Sequence, residues 1–262
     1  MDANVTNVNP KAIYQEIKMR VIYEPRGKAW EYAELACNLM NGCSHACKYC
    51  YAPAIRRQTL DKWCADPQPR KNILELLEKD ARQLSGDPRE VLFCFMSDPY
   101  QNEAAANLTR QALEIMAKHD CRATILTKGG TAAIHDFGLL AENNYKFGSS
   151  ICFSNDFLRR EWEPHAASIL SRYQAIMEAK RQGIYTWVSV EPVIDPREAL
   201  KVIEDLSDYV DLWKIGKLNH MPQVEKEIDW KKFLEDVIKL LKASGANYYI
   251  KKDLLAYDDG KK

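Results

Sequence analysis

Nothing in this chain stays apolar long enough to cross a bilayer. Its longest apolar runs are short, Val91 to Met96 among them, whereas a membrane-spanning helix needs about 20 such residues. The opening stretch, Met1 to Pro10, is polar and lacks the apolar core of a secretory signal. These absences predict a cytoplasmic protein with no membrane partner. An excess of charge is also missing: 37 Lys and Arg balance 37 Asp and Glu. Overall electrostatics therefore give no case for tight nucleic-acid binding, although a local basic patch is compatible with the balance. Eight cysteines in 262 residues do not suggest a disulfide scaffold, and in a reducing compartment clustered thiols read as metal ligands. No repeat recurs at a fixed period. What is present, 46% hydrophobic and 28% charged residues, is the make-up of a globular protein large enough for a sizeable core.

Short β-branched apolar runs alternate with amphipathic stretches. Strands are expected at Leu35–Met40, Val91–Ser97, Ala123–Thr127, Phe147–Phe153, Thr186–Val190, Leu212–Gly216 and Asn247–Ile250. Between them Asn72–Gln83, Ala104–His119, His165–Gln182, Arg197–Leu206 and Trp230–Ala243 carry apolar residues three and four apart, the period of a helix. Such alternation predicts a parallel sheet, and six or seven units suit a partial (β/α)6 TIM-type barrel better than a full eight-unit one. Residues 35–255 are read as this α/β domain, residues 1–34 as an N-terminal extension packing on it, and 256–262 as a frayed tail. In such folds chemistry sits at the C-terminal ends of the strands. Polar residues follow the apolar runs there: Ser97-Asp98, Thr127-Lys128, Ser154-Asn155, Glu191 and Lys217–Asn219.

The densest signal is Cys43-Ser-His-Ala-Cys47-Lys-Tyr-Cys50, three thiols within eight residues just after the first expected strand. A loop of this spacing can wrap three thiolates around one face of a metal site. Structural zinc takes four closed ligands, and ordinary [4Fe–4S] clusters take four cysteines. A cubane held by three leaves one iron open to a small molecule. The competing reading is a non-enzymatic, zinc-stabilised binding module with His45 or Cys37 as fourth ligand.

The C-x3-C-x2-C spacing, with an aromatic residue before the last cysteine, resembles the radical S-adenosylmethionine (SAM) superfamily. The wider run Asn41 to Pro53 is similar to its spore photoproduct lyase-like branch, as are Tyr23–Ala29, Ser97–Gln101, Thr127-Lys128, Ser150-Ile151 and Glu163-Pro164 with Arg172. The resemblance covers residues 20 to about 220. It implies a [4Fe–4S] cluster on Cys43, Cys47 and Cys50, whose open iron chelates S-adenosyl-L-methionine. Reductive cleavage then yields a 5′-deoxyadenosyl radical that abstracts hydrogen from a substrate, small molecule or nucleic acid. An electron donor such as flavodoxin or ferredoxin is implied as partner. It further implies Tyr49 and Tyr51 flanking the cluster, with Tyr49 near the adenine, Lys128 on the cofactor carboxylate or ribose, and Ser150 pointing at the cofactor. Ser97, as a cofactor contact, and Asp98, as a catalytic residue orienting the ribose or substrate, would lie between cofactor and substrate. Glu191, at the end of its strand, is a cofactor-binding candidate that would face the substrate or cap the next helix.

One position departs from that branch, whose hydrogen-returning cysteine precedes the motif serine by two residues. Here that place holds Phe95, with Cys94 one residue earlier. On an unbroken strand the offset turns the Cys94 thiol toward the helices, so thymine-dimer repair is not expected. By the same alternation Cys152 shares a face with Ser150 and is the candidate hydrogen donor. A nucleic-acid substrate would call for a basic groove at the barrel mouth, with Arg56, Arg57, Arg159 and Arg160 as candidates.

Overall fold

The computed structural model describes residues 20–258; the readings of Met1–Pro10 and of the last four tail residues lie outside them. Ten strands are present: β1 (Ile22–Tyr23), β2 (Leu35–Cys37), β3 (Met40–Asn41), β4 (Gln68–Pro69), β5 (Glu90–Phe93), β6 (Arg122–Thr127), β7 (Lys146–Ser150), β8 (Tyr185–Val193), β9 (Leu212–Lys217) and β10 (Tyr248–Ile250). Eight of them form one sheet in the order β1-β2-β5-β6-β7-β8-β9-β10, while β3 and β4 pair separately. Within the large sheet every pairing from β2 to β10 is parallel and only β1 runs antiparallel; the separate β3–β4 pair is antiparallel too. Spatial order equals chain order, so right-handed crossovers place the helices on one face and the sheet curls into a barrel. Among the described residues β1 and β10 do not pair, so the barrel is partial and open.

All seven expected strands are found, with ends that physics moves. The first breaks into β2 and β3, which take different partners. The second stops at Phe93, because the Asn38 side chain accepts the amides of Phe95 and Met96 at 2.9 and 2.8 Å in place of a strand neighbour. Helices Ile73–Gln83, Glu103–Lys118, Ile169–Arg181, Pro196–Leu206 and Trp230–Ala243 cover the outer face. The third begins at Ile169 rather than His165, since the Ser168 hydroxyl accepts from Ser171 N at 3.2 Å and caps it there.

Strand alternation divides the core. Phe93, Ile125, Phe147, Val188 and Ile215 face the helices. Ala36, Leu92 and Trp187 face the lumen with Tyr32, Phe95 and Leu126 around them. Trp187 fits because β7 carries Gly148 opposite it: a β-carbon there would fall inside the indole ring. Gly148→Ala is expected to cost about 1–3 kcal/mol through overpacking, read as a lower urea midpoint with the slope unchanged.

Residues 20–32 close the open side. The buried Asp80 carboxylate accepts the amides of Arg20, Val21 and Ile22 at 2.7–3.0 Å, which fixes the entry into β1. The segment then crosses to the far edge of the sheet. Lys28 Nζ lies 2.8 Å from Asp253, and Glu31 accepts from Tyr249 OH at 2.9 Å and Lys252 N at 2.8 Å. This strap joins the β1 side to the β10 side and places Tyr32 in the lumen.

Candidate active site

A cavity of about 570 Å³ opens at the C-terminal ends of the strands. Its wall includes Tyr49, Tyr51, Ser97, Asp98, Lys128, Ser150 and Glu191, and also Cys94, Phe95, Tyr32, Lys217 and Lys251. The strand-end rule thus brings together most of the residues read from sequence. Ser154 and Asn155 are the exceptions: they turn away to Glu198, Ser154 Oγ donating at 2.6 Å and Asn155 Nδ2 at 2.7 Å. A second cavity, about 510 Å³, opens near the N-terminal ends of β6 and β7 between Asp87, Asp120, Arg122 and Lys146, and holds none of the sequence-predicted residues.

The cysteine loop follows β3 and is tied down by two anchors outside it and one turn within it. Ser44 N donates to Gln101 Oε1 at 2.5 Å, Lys48 N to Trp162 O at 2.9 Å, and Cys50 N to Cys47 O at 3.0 Å. Cys47 is buried, Cys43 and Cys50 partly so, and none is in a disulfide. Burial pushes the Cys47 thiol up to about 12, and Cys43 and Cys50 move the same way for the same reason. Thiolates in such a place need a cationic centre. Neither fourth ligand weighed for a zinc site is available. His45 Nδ1 faces His165 O and its Nε2 faces Asp98 Oδ2, each at 3.3 Å. Cys37 is fully buried in the core. Both side chains weighed as a fourth ligand are thus engaged elsewhere, and a loop of three thiols suits a cluster with one open metal corner. The wall adds an orphan that suits a bound molecule: Ser97 Oγ is buried with no hydrogen-bond partner among the described residues.

Asp98 is spent on the protein itself. Oδ1 accepts from Tyr100 N at 2.9 Å and Thr127 Oγ1 at 2.6 Å, while Oδ2 accepts from Lys128 N at 2.6 Å and faces His45. Burial opposes the charge, but these partners, His45 foremost, outweigh it and hold the carboxyl at about 2. Asp98 thereby locks the cysteine loop to the ends of β5 and β6.

Tyr49 hangs on a buried ion pair. Its hydroxyl donates to Glu163, whose other oxygen lies 2.6 Å from Arg172 Nη2, both side chains wholly buried. Arg172 also donates to Ser150 O and Ala167 O, each at 3.0 Å. Lys128 Nζ stands 5.7 Å over the Tyr49 ring. Burial works against its charge, but the Glu163 carboxylate more than compensates and raises its pKa. Tyr51 is 42% exposed and donates to Phe95 O at 2.9 Å.

Across the lumen, Tyr32 donates to Glu191 and shares a 2.8 Å hydrogen bond with Ser189 Oγ. Lys251 Nζ donates to both Glu191 oxygens, at 2.9 and 2.7 Å. Gly216 makes room for them, since a β-carbon there would stand 2.6 Å from the Glu191 carboxyl carbon. Sequence reading missed Tyr32, Lys214 and Lys251, which converge only through pairings spanning 60 to 183 residues. Lys214 Nζ donates to Glu31 O and Tyr32 O at 3.0 and 2.7 Å. Burial, and next the Lys251 charge, lower its pKa to about 8. The unfolded chain therefore keeps a proton that the native state has lost between pH 8 and about 10.4, so this residue's contribution to stability rises across that window. The Lys214 15Nζ resonance is expected to titrate near pH 8, well below those of solvent lysines.

The two candidate thiols stand differently toward the cavity. Because β5 ends at Phe93, alternation does not carry through to Ser97, and Cys94, although buried with the main core, is part of the cavity lining. Cys152 is wholly buried beyond the end of β7 and is not part of the lining. Arg159 leaves the basic groove as well. It is buried, pairs with Asp156 at 2.9 Å and donates to the carbonyls of Glu163, Pro164 and Ala166, whereas Arg56, Arg57 and Arg160 are exposed.

A family model described as the Radical SAM superfamily matches residues 37–210. An uncharacterized protein of Methanocaldococcus jannaschii is 26% identical over 165 residues, 62% of this chain and 61% of that one. The chain thus spans about three-fifths of the curated relative it matches. Streptococcus suis SuiB bound to S-adenosylmethionine shares the fold at a TM-score of 0.64 and 12% identity, over 85% of this chain and 51% of SuiB. Spore photoproduct lyase complexed with dinucleoside spore photoproduct does so at 0.61 and 17%, over 87% of this chain and 79% of the lyase. Among the described residues no helix is long and apolar enough to cross a membrane.

Proposed function

The chain belongs to the radical SAM superfamily, and on that premise we propose that it is an enzyme holding a [4Fe–4S] cluster on Cys43, Cys47 and Cys50 and cleaving S-adenosylmethionine reductively. The observation that supports the reading is the three-thiol loop with His45 and Cys37 both committed elsewhere, whose Tyr49 and Tyr51 line a cavity with Ser97, Lys128 and Ser150. When bound, cluster and cofactor supply a 5′-deoxyadenosyl radical able to take hydrogen from an unactivated carbon. The chain's part is position and exclusion of water.

In this assignment Lys128 meets the cofactor carboxylate or ribose with a charge-assisted hydrogen bond. Tyr49 offers a ring face to the adenine, held by Glu163. Tyr51 flanks the cluster, Ser150 and Ser97 offer hydroxyls, and Glu191 faces the substrate. Asp98 acts as a positioning residue through His45, Thr127 and Lys128. Electrons come from a carrier such as flavodoxin or ferredoxin, and the setting is cytoplasmic. Anaerobic loading tests the cluster. About four iron and four sulfide per chain with a brown colour support it, and a colourless protein with one tight zinc contradicts it.

Two thiols compete to return hydrogen to a substrate radical. Burial raises both, Cys94 to about 12, so each keeps its S–H at neutral pH, as a hydrogen-atom donor must. Cys152 remains the candidate from strand parity, and its place in the cavity lining favours Cys94 as a second reading. With solvent-exchanged deuterium, the variant at the true donor, Cys152→Ala or Cys94→Ala, is expected to lose label in the product. The other variant is expected to keep it.

A further inference from the structure

The half of the cavity away from the cysteines is built from three segments distant in sequence. Arg26 and Lys28 come from the strap, Lys217, Asn219 and His220 from the end of β9, and Lys251 follows β10. Four full cations face one carboxylate of the lining there, Glu191, in a chain whose formal net charge is zero. The ion pairs are arranged unevenly. Lys28 Nζ lies 2.8 Å from Asp253 and Lys217 Nζ 2.5 Å from Glu225. Both carboxylates stand outside the lining, so the ammonium groups face the cavity with their acids behind them.

Donor counting sharpens the point. An ammonium has three N–H donors. Lys28 spends two, on Asn219 and Asp253. Lys217 spends two, on Leu218 O and Glu225, and Lys251 spends two on Glu191. Each keeps one donor unspent by hydrogen bonds among the described residues, although Lys217 Nζ also stands 5.2 Å over the Trp230 ring and Lys251 Nζ 4.6 Å over the Tyr32 ring. Lys217 and Lys251 are nearly buried, where such donors are costly to leave unmade. Arg26 and His220, at the rim, are exposed.

We propose that this wall is an oxyanion subsite that takes a phosphate or carboxylate group of the substrate, leaving its reacting carbon toward Phe95, Ser97 and the cysteine loop. The inference rests on the reading above in taking the cavity as the reaction chamber. Charge-assisted hydrogen bonds from ammonium groups suit an oxyanion, and the unspent donors from three separate segments match its several acceptor oxygens.

Equilibrium dialysis tests it. The anaerobically loaded protein, with S-adenosylmethionine and without reductant, is dialysed against radiolabelled inorganic phosphate, acetate and a thymidine octanucleotide. Retention of at least one is expected, and the arm that binds identifies the source of the oxyanion. Arg26→Ala and Lys28→Ala, both at exposed positions, are each expected to weaken retention about tenfold, and Lys28→Arg to restore it. Melting curves establish that the variants fold. No retention in any arm, or retention unchanged in a folded Arg26→Ala/Lys28→Ala protein, overturns the proposal. No reductant is present, so the result stands whether or not the sulfonium is cleaved. Failure of cleavage with retention intact would count against the earlier reading alone.

Discussion

Replacing Cys47 by Ala is expected to remove the cluster and with it all formation of 5′-deoxyadenosine. Cys47 is the most buried of the three thiols, and its loop is fastened by Gln101 and Trp162 whether or not metal is present. The variant should therefore fold yet load far less than the four iron expected of the wild type, with its visible absorption lost. Cys43→Ala and Cys50→Ala should do the same, since two thiolates cannot hold a cubane that already lacks a fourth. Cys37→Ala and His45→Gln provide the contrast. Both residues are engaged elsewhere, Cys37 in the core and His45 between Asp98 and His165, so iron content should match the wild type. A zinc module closed by either residue requires the opposite. Iron and sulfide analysis alongside the visible spectrum separates the two.

Glu163→Ala should be the most destabilising single change in the barrel. It strands the Arg172 guanidinium with no counter-charge in a place of zero exposure, at a cost of about 3–5 kcal/mol. It also takes the acceptor from Tyr49 OH and the carboxylate that sustains the Lys128 charge. Stability and cofactor binding should fall together. Glu163→Leu combined with Arg172→Met should recover much of the stability, because a buried pair replaced by apolar groups is often neutral. Cofactor affinity should stay low, since Tyr49 and Lys128 still lack their partner. Urea unfolding with equilibrium binding of S-adenosylmethionine resolves the two effects.

Local pattern carried the strands because β-branched runs such as Ala123–Thr127 must bury both faces in a parallel sheet. It carried the helices because their apolar stripes have one place to go. Where a side chain intervened from a distance, local pattern could not follow. Asn38 ends β5 by taking two amides 57 and 58 residues away, and that shift moves Cys94 to the cavity wall. Around the cavity, Ser97, Asp98, Lys128, Ser150 and Glu191 were legible because strand topology determines where they fall, and the three cysteines stand out by spacing alone. Tyr32, Lys214 and Lys251 were not, since nothing near them in sequence announces that a strap from residues 26–32 will cross the barrel to meet β8, β9 and β10. Ser154 and Asn155 obeyed the strand-end rule in sequence, but Glu198 at the start of the next helix captured them.

The most direct test is anaerobic incubation of the iron-loaded protein with dithionite and S-adenosylmethionine, followed by chromatographic measurement of 5′-deoxyadenosine. 5′-Deoxyadenosine and methionine are expected in equal amounts, absent without reductant and absent in Cys47→Ala. Fully loaded, reduced protein that binds S-adenosylmethionine and leaves it intact would contradict the proposed cleavage.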